Sequence, residues 1–302
     1  MSHHPSKTPL ERWPSNSSLW YQNARRYAPI LQKSNSTVAT DTMPNIVPIS
    51  RDRHADKGWK RCDSYAFAAR TALVPLVGAE LPKAAMSLPV AFVQQGERYI
   101  PVAVLGIEPT TNLFVTPDGR WPGAYIPSAL RSHPFTLAKT ESDNRILCMD
   151  EESGLLTESG EGEPFFDDSG EPAKGLKQVL EFLQQVERNR EQTMVVCQAL
   201  ARLELIRPWP IQLMVGESER QIQGLFRIDE EALKQLPDEP FLELRRAGAL
   251  PLVYCQLLSM QHITLLGRLL DLRTKASLNA SKTLAPFSLQ DQDVLKFDWD
   301  SR

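Results

Sequence analysis

The feature that most constrains the fold is a change of hydrophobic period part-way along the chain. From Leu88 to Asp150 the apolar residues fall in short runs: LPVAFV, then YIPVAVLGI after the turn QQGER, then NLFV closed by Pro117, Asp118 and Gly119. Short apolar runs bounded by turn residues read as strands, so this half is an antiparallel β-meander. Ile126-Pro127 opens a short helix, because proline is tolerated in a first turn, and Phe135 to Ala138 and Ile146 to Met149 are further strands. An acidic, Gly-rich stretch from Glu151 to Pro172 reads as a long loop. The period then becomes helical. Leu176, Val179, Leu180, Leu183 and Val186 share one face, and the pattern resumes at Val196, Leu200 and Leu203, giving one long helix or two consecutive ones. IQLMV and IQGLFRI follow as a hairpin. Asp229, with Glu230 and Glu231, reads as a helix N-cap with an acidic first turn, Gly248 ends the helix that holds Phe241 and Leu244, and a last helix carries Leu265, Leu266, Leu269 and Leu270. The expected fold class is α+β, with the meander in the N-terminal half and helices plus a β-hairpin in the C-terminal half of one compact domain.

Both ends lack such a pattern. Residues 1–42 are rich in Ser, Asn, Pro and Thr and are expected to be a disordered extension, with Met43 a candidate start. Residues 273–302 are expected to be a flexible tail. That tail carries Val294, Leu295, Phe297 and Trp299 among aspartates, a composition suited to docking in a partner's groove. Ala247 to Gly267 carries no charge and approaches the length of a membrane span. Pro251, Gln256, Ser259, Gln261, His262 and Thr264 interrupt it, so a buried strand followed by a helix is expected, and no membrane span.

With 34 basic and 37 acidic residues, the chain has no overall field to draw it to nucleic acid, which is not an expected partner. Cys62, Cys148, Cys197 and Cys255 are too scattered for a disulfide framework and read as reduced thiols in a cytoplasmic protein. No glycine-rich phosphate loop or dinucleotide fingerprint is present. Gly216 to Arg220 begins like a nucleophile elbow but ends in Arg within a hairpin. His54, His133 and His262 are widely spaced, and Glu161, Glu163, Asp167 and Asp168 lack the ligand spacing of a calcium loop, so no metal and no cofactor are expected. His262 reads as a packed core histidine.

The densest polar and aromatic cluster is DGRWPGAYIPSALRSHPF. Trp121 and Tyr125 offer flat surfaces with polar tips, Arg131 a fixed cation, and His133 a group that titrates near neutrality. With Asn112 they are the candidate ligand-binding residues, and a structural corner is the competing reading of the same cluster.

The blocks VPLVGAELPKAAMSLPVAF, VAVLGIE, NLFVTPDGRWPGAYIPSALRSHPF, GLFRIDEEALKQL and LRRAGALPLVYCQLLSMQHI occur in order and together resemble the bacterial surface-layer SapC family, from about Met43 to Leu272. The resemblance implies a SapC-like domain over 43–272 without an established reaction. It further implies a soluble accessory or binding protein of a surface-layer, cell-envelope or uptake pathway, acting with a protein partner. The alternative it leaves open is an enzyme, or an enzyme's partner, acting on an aromatic or amino-acid-like small molecule alongside flavin-dependent halogenase-like proteins.

Overall fold

The computed structural model describes residues 45–140, 144–158, 161–215 and 218–283. The expected N-terminal extension and most of the C-terminal tail lie outside these residues. The architecture is α+β, and every strand pairing is antiparallel.

Strands β3 (Leu73–Pro75), β4 (Val90–Gln95), β5 (Arg98–Val104), β10 (Ile206–Pro208) and β13 (Leu225–Ile228) form a five-stranded sheet in the order β10-β13-β4-β5-β3. β4 and β5 are the expected hairpin around QQGER. Its two-residue turn places Gly96 first with φ 59°, a conformation that costs glycine nothing. The two further strands expected near Phe135 and Ile146, β6 (Phe135–Lys139) and β7 (Arg145–Asp150), pair with each other in a second sheet with β1 (Ile46–Pro48). The strands between 88 and 150 are thus shared between two sheets.

NLFV is not a strand. The Asn112 side chain accepts from Phe114 N at 2.9 Å and donates to Ala68 O at 3.1 Å. It offers the backbone a local partner that competes with a ladder, and Leu113, Phe114 and Val115 are buried without one. The acidic stretch is pinned rather than free. β8 (Leu156–Thr157) and β9 (Glu163–Pro164) flank β2 (Gly58–Trp59), and Phe165 is fully buried. At its start Glu151 holds Arg53 through contacts of 2.6 and 2.5 Å, at the end of helix α1 (Arg51–His54). His54 Nε2 lies 3.3 Å from the same carboxylate without the alignment of a hydrogen bond.

Helices α2 (Leu81–Ala84) and α3 (Ser128–Arg131) are single turns. Helix α4 (Lys174–Arg202) is one unbroken helix. The polar stretch inside it is partly covered: the Glu187 side chain, 15 % exposed, contacts Arg190 and Arg145. Leu176 and Leu183 enter one hydrophobic cluster with Trp59, Phe135, Met149 and Phe165, while Cys197, Ala199 and Leu200 enter the main cluster against the five-stranded sheet. One helix therefore ties both cores together.

IQLMV pairs with residues 218–222, not with LFRI. β11 (Ile211–Val215) and β12 (Ser218–Ile222) form a separate hairpin, and LFRI, displaced by Gln223 and Gly224, becomes β13 inside the main sheet. Helices α5 (Glu230–Lys234) and α6 (Asp238–Arg246) follow, the first capped by Asp229 accepting from Ala232 N at 3.1 Å. Gly248, at φ 69°, ends α6: its N–H bonds Arg245 O and that of Ala249 bonds Leu244 O, the paired bonds of a Schellman cap.

The uncharged run is not strand then helix but two helices, α7 (Leu250–Ser259) and α8 (Ile263–Thr283). Pro251 sits in the first turn, where its missing N–H costs nothing. The polar residues that interrupt the run serve the sheet. β13 pairs Leu225 with Val93 and Phe226 with Phe92, and the ladder stops there. Beyond it the buried Gln256 amide accepts from Ile228 N at 3.0 Å and donates to Val90 O at 3.1 Å, replacing the missing rung. Ser259 Oγ accepts from Val90 N at 3.1 Å. Among the described residues no single helix is long and apolar enough to cross a membrane. α8 continues past Arg273, whose guanidinium donates to Asn112 O at 3.1 Å, so the chain is helical well into the segment expected to be tail.

Candidate functional site

The cluster read from the sequence does assemble, around a residue the sequence did not single out. Glu80, 5 % exposed, places both carboxylate oxygens under the loop that carries Tyr125 and α3. Oε1 accepts from Val77 N at 2.8 Å and Ser128 Oγ at 3.0 Å. Oε2 accepts from Ser128 N at 2.8 Å and Tyr125 Oη at 2.7 Å. A buried carboxylate is tolerated only when its lone pairs are filled, and these four donors fill them. Burial, reinforced by the Glu80 bond, pushes the Tyr125 hydroxyl up to about 12. It is a fixed donor at neutral pH rather than a base.

The remaining candidates close around this brace. Trp121 Nε1 donates to Tyr125 O at 3.1 Å, and its ring stacks on Phe114 and meets Tyr65 edge-on. His133 lies flat on Phe67 with centroids 3.8 Å apart, and burial lowers its pKa to about 4, so the ring is neutral. Arg131 donates through Nε to Ile126 O at 3.1 Å and covers the Phe182 ring at 5.1 Å. Its Nη2 is 3.5 Å from the Tyr125 hydroxyl, and of these residues it alone keeps an exposed charge. Asn112 stands apart from the Glu80 network, with both ends of its amide bonded to backbone.

Other sequence candidates are committed elsewhere. His262 Nε2 lies 3.0 Å from Ala85 O. Glu161 pairs with Lys60, Glu163 with Arg61, and Asp167 accepts from Ser169 and Glu171. Among the described residues no group of three or more His, Cys, Asp and Glu is placed to hold a metal. The Gly216 to Arg220 fragment lies partly outside the described residues, and all four cysteines are free thiols.

A comparison with protein families matches the SapC family over residues 49–266, well over half of the chain. The chain belongs to the SapC family. No curated protein and no solved structure matches it. The SapC match takes in Glu80, the Trp121 to His133 corner, the whole of α4 and the whole of α7.

Within this SapC domain two surfaces differ from the braced corner. One is the outer side of α7. This helix carries no charge and turns its two polar side chains, Gln256 and Ser259, inward, so its outer side is apolar: Tyr254 is 50 % and Leu258 66 % exposed one turn apart. The other is a cleft between the β4–β5 turn and α4. The sequence carried a signal for the first, an uncharged run longer than α7 needs. It carried none for the second, whose walls are some hundred residues apart.

Proposed function

We propose that this SapC-family chain is a soluble, cytoplasmic binding or accessory protein of a surface-layer, cell-envelope or uptake pathway, and that it acts through a protein partner seated on α7. The observation that carries this reading is the exposure of Tyr254 and Leu258 on an uncharged helix. Large apolar side chains clustered in solvent mark interaction surfaces, and the cores of protein interfaces are depleted of charge and enriched in aromatic residues. The remainder of α7 is held rigidly by Gln256 and Ser259, so a partner would meet a formed surface. The corner supports the domain: Glu80 fastens α3 and the Tyr125 loop to the segment entering α2, and the exposed Arg131 is its one charge left to meet a ligand.

Site-specific photo-crosslinking in the native host tests this reading. A photoreactive residue at Leu258 should give one heteromeric adduct, and the same residue at the exposed Val195 of α4 should not. Equal labelling at both positions, or a homodimer adduct alone, would count against a partner on α7.

A further inference from the structure

The cleft of about 310 Å³ between the β4–β5 turn and α4 is lined by Glu97, Arg98, Tyr99, Met194, Cys197 and Gln198. Its polar side chains differ from those of the corner in having no internal work. Among the described residues Glu97, Arg98 and Gln198 make no side-chain hydrogen bond or ion pair, and the Tyr99 hydroxyl makes none. Tyr99 is nevertheless held, its ring edge-on to Phe226 at 5.1 Å. The α4 side of the cleft is soft and uncharged. Met194 is half-buried, and Cys197, 1 % exposed, has its thiol pushed up to about 12 by burial.

An anion, a cation and an amide thus stand unpaired around a cleft into which the Met194 thioether and the Tyr99 ring are partly exposed, with Cys197 buried beneath them. Opposite charges on neighbouring residues match a zwitterion better than a simple anion or cation. Sulfur atoms favour an aromatic ring. The volume sits at the lower end for small-molecule sites, about 300 Å³, which suits a ligand the size of one amino acid. We propose that this cleft binds a free aromatic α-amino acid, with its carboxylate on Arg98, its ammonium group on Glu97, the Gln198 amide beside them, and its ring between Tyr99 and the thioether of Met194. None of these residues belongs to the α7 surface, so failure of either reading leaves the other standing.

The test is an amide-resonance titration of the full chain with L-phenylalanine, phenylacetate, which lacks the ammonium group, and phenethylamine, which lacks the carboxylate. L-Phenylalanine should give saturable shifts confined to 96–99 and 194–201, and each analogue should bind more weakly. Arg98 and Glu97 are exposed, so Arg98→Ala and Glu97→Gln should stay folded. Arg98→Ala should weaken L-phenylalanine by about tenfold or more and leave phenethylamine unchanged, because a charge-assisted hydrogen bond is lost. Glu97→Gln should spare phenylacetate in the same way. No saturable shift, shifts mapping elsewhere, or variants that weaken both analogues equally would overturn the proposal.

Discussion

Replacing Glu80 with Ala strands four donors at once, the Val77 and Ser128 amides and the Ser128 and Tyr125 hydroxyls. Each buried unsatisfied group costs about 1–3 kcal/mol and some will reach water, so denaturant unfolding should show a loss of about 3–5 kcal/mol. Tyr125→Phe removes one donor from a buried carboxylate and should cost about 1.5–3 kcal/mol, less than Glu80→Ala. A Glu80→Ala protein as stable as wild type would show that the corner is not braced there. His133 gives a pH signature. Its folded pKa, about 4, lies below the ordinary 6.5, so its contribution to stability is complete above about pH 6.5 and is lost as pH falls towards 4. His133→Phe keeps a ring on Phe67 and cannot titrate, and its melting temperature should fall less over that interval. An unchanged profile would assign the acid limb to other groups. The sequence showed Trp121, Tyr125, Arg131 and His133 as neighbours because they lie close along the chain. Glu80 was hidden because three of its four bonds come from Tyr125 and Ser128, forty-five and forty-eight residues away, and nothing in GAELPK distinguishes a buried carboxylate from a solvated one.

At the scale of elements, legibility followed local chemistry. The Asp229 cap, the Gly96 turn and the Gly248 stop are set by side chains and φ angles within a few residues, and all three are where the sequence put them. Gly248→Ala forces a Cβ into φ 69° and should cost about 1 kcal/mol, measured by thermal unfolding. A smaller loss would mean that the chain leaves α6 by another route. Elements fixed by distant partners were misread. NLFV has strand composition, but the Asn112 side chain, anchored on Ala68 O forty-four residues away, takes the Phe114 N–H. IQGLFRI looks like one arm of a hairpin, but β4 draws its second half into the main sheet. The uncharged run hid two helices because apolar content alone does not distinguish strand from helix. Its glutamine and serine were read as interruptions, although they complete the opened ladder between β13 and β4.

At the scale of the whole molecule, two hydrophobic clusters share α4, and α8 ties the far end back through Arg273. Shortening the chain after Leu272 removes that guanidinium and should cost about 1 kcal/mol or more. Shortening it after Thr283 should leave the melting temperature within about 2 °C. Equal stability of the two shortened chains would show that α8 beyond Leu272 adds nothing. The central claim, that the exposed face of α7 is a partner's seat, is tested most directly with the double variant Tyr254→Ser and Leu258→Ser. Leu258 is two-thirds and Tyr254 half in solvent, so the double variant should stay folded with only a modest loss of melting temperature. Native mass spectrometry of the chain isolated from its host should then show a heteromeric complex for wild type and the bare chain, at 34.0 kDa, for the variant. A folded double variant that keeps the complex intact would contradict the account.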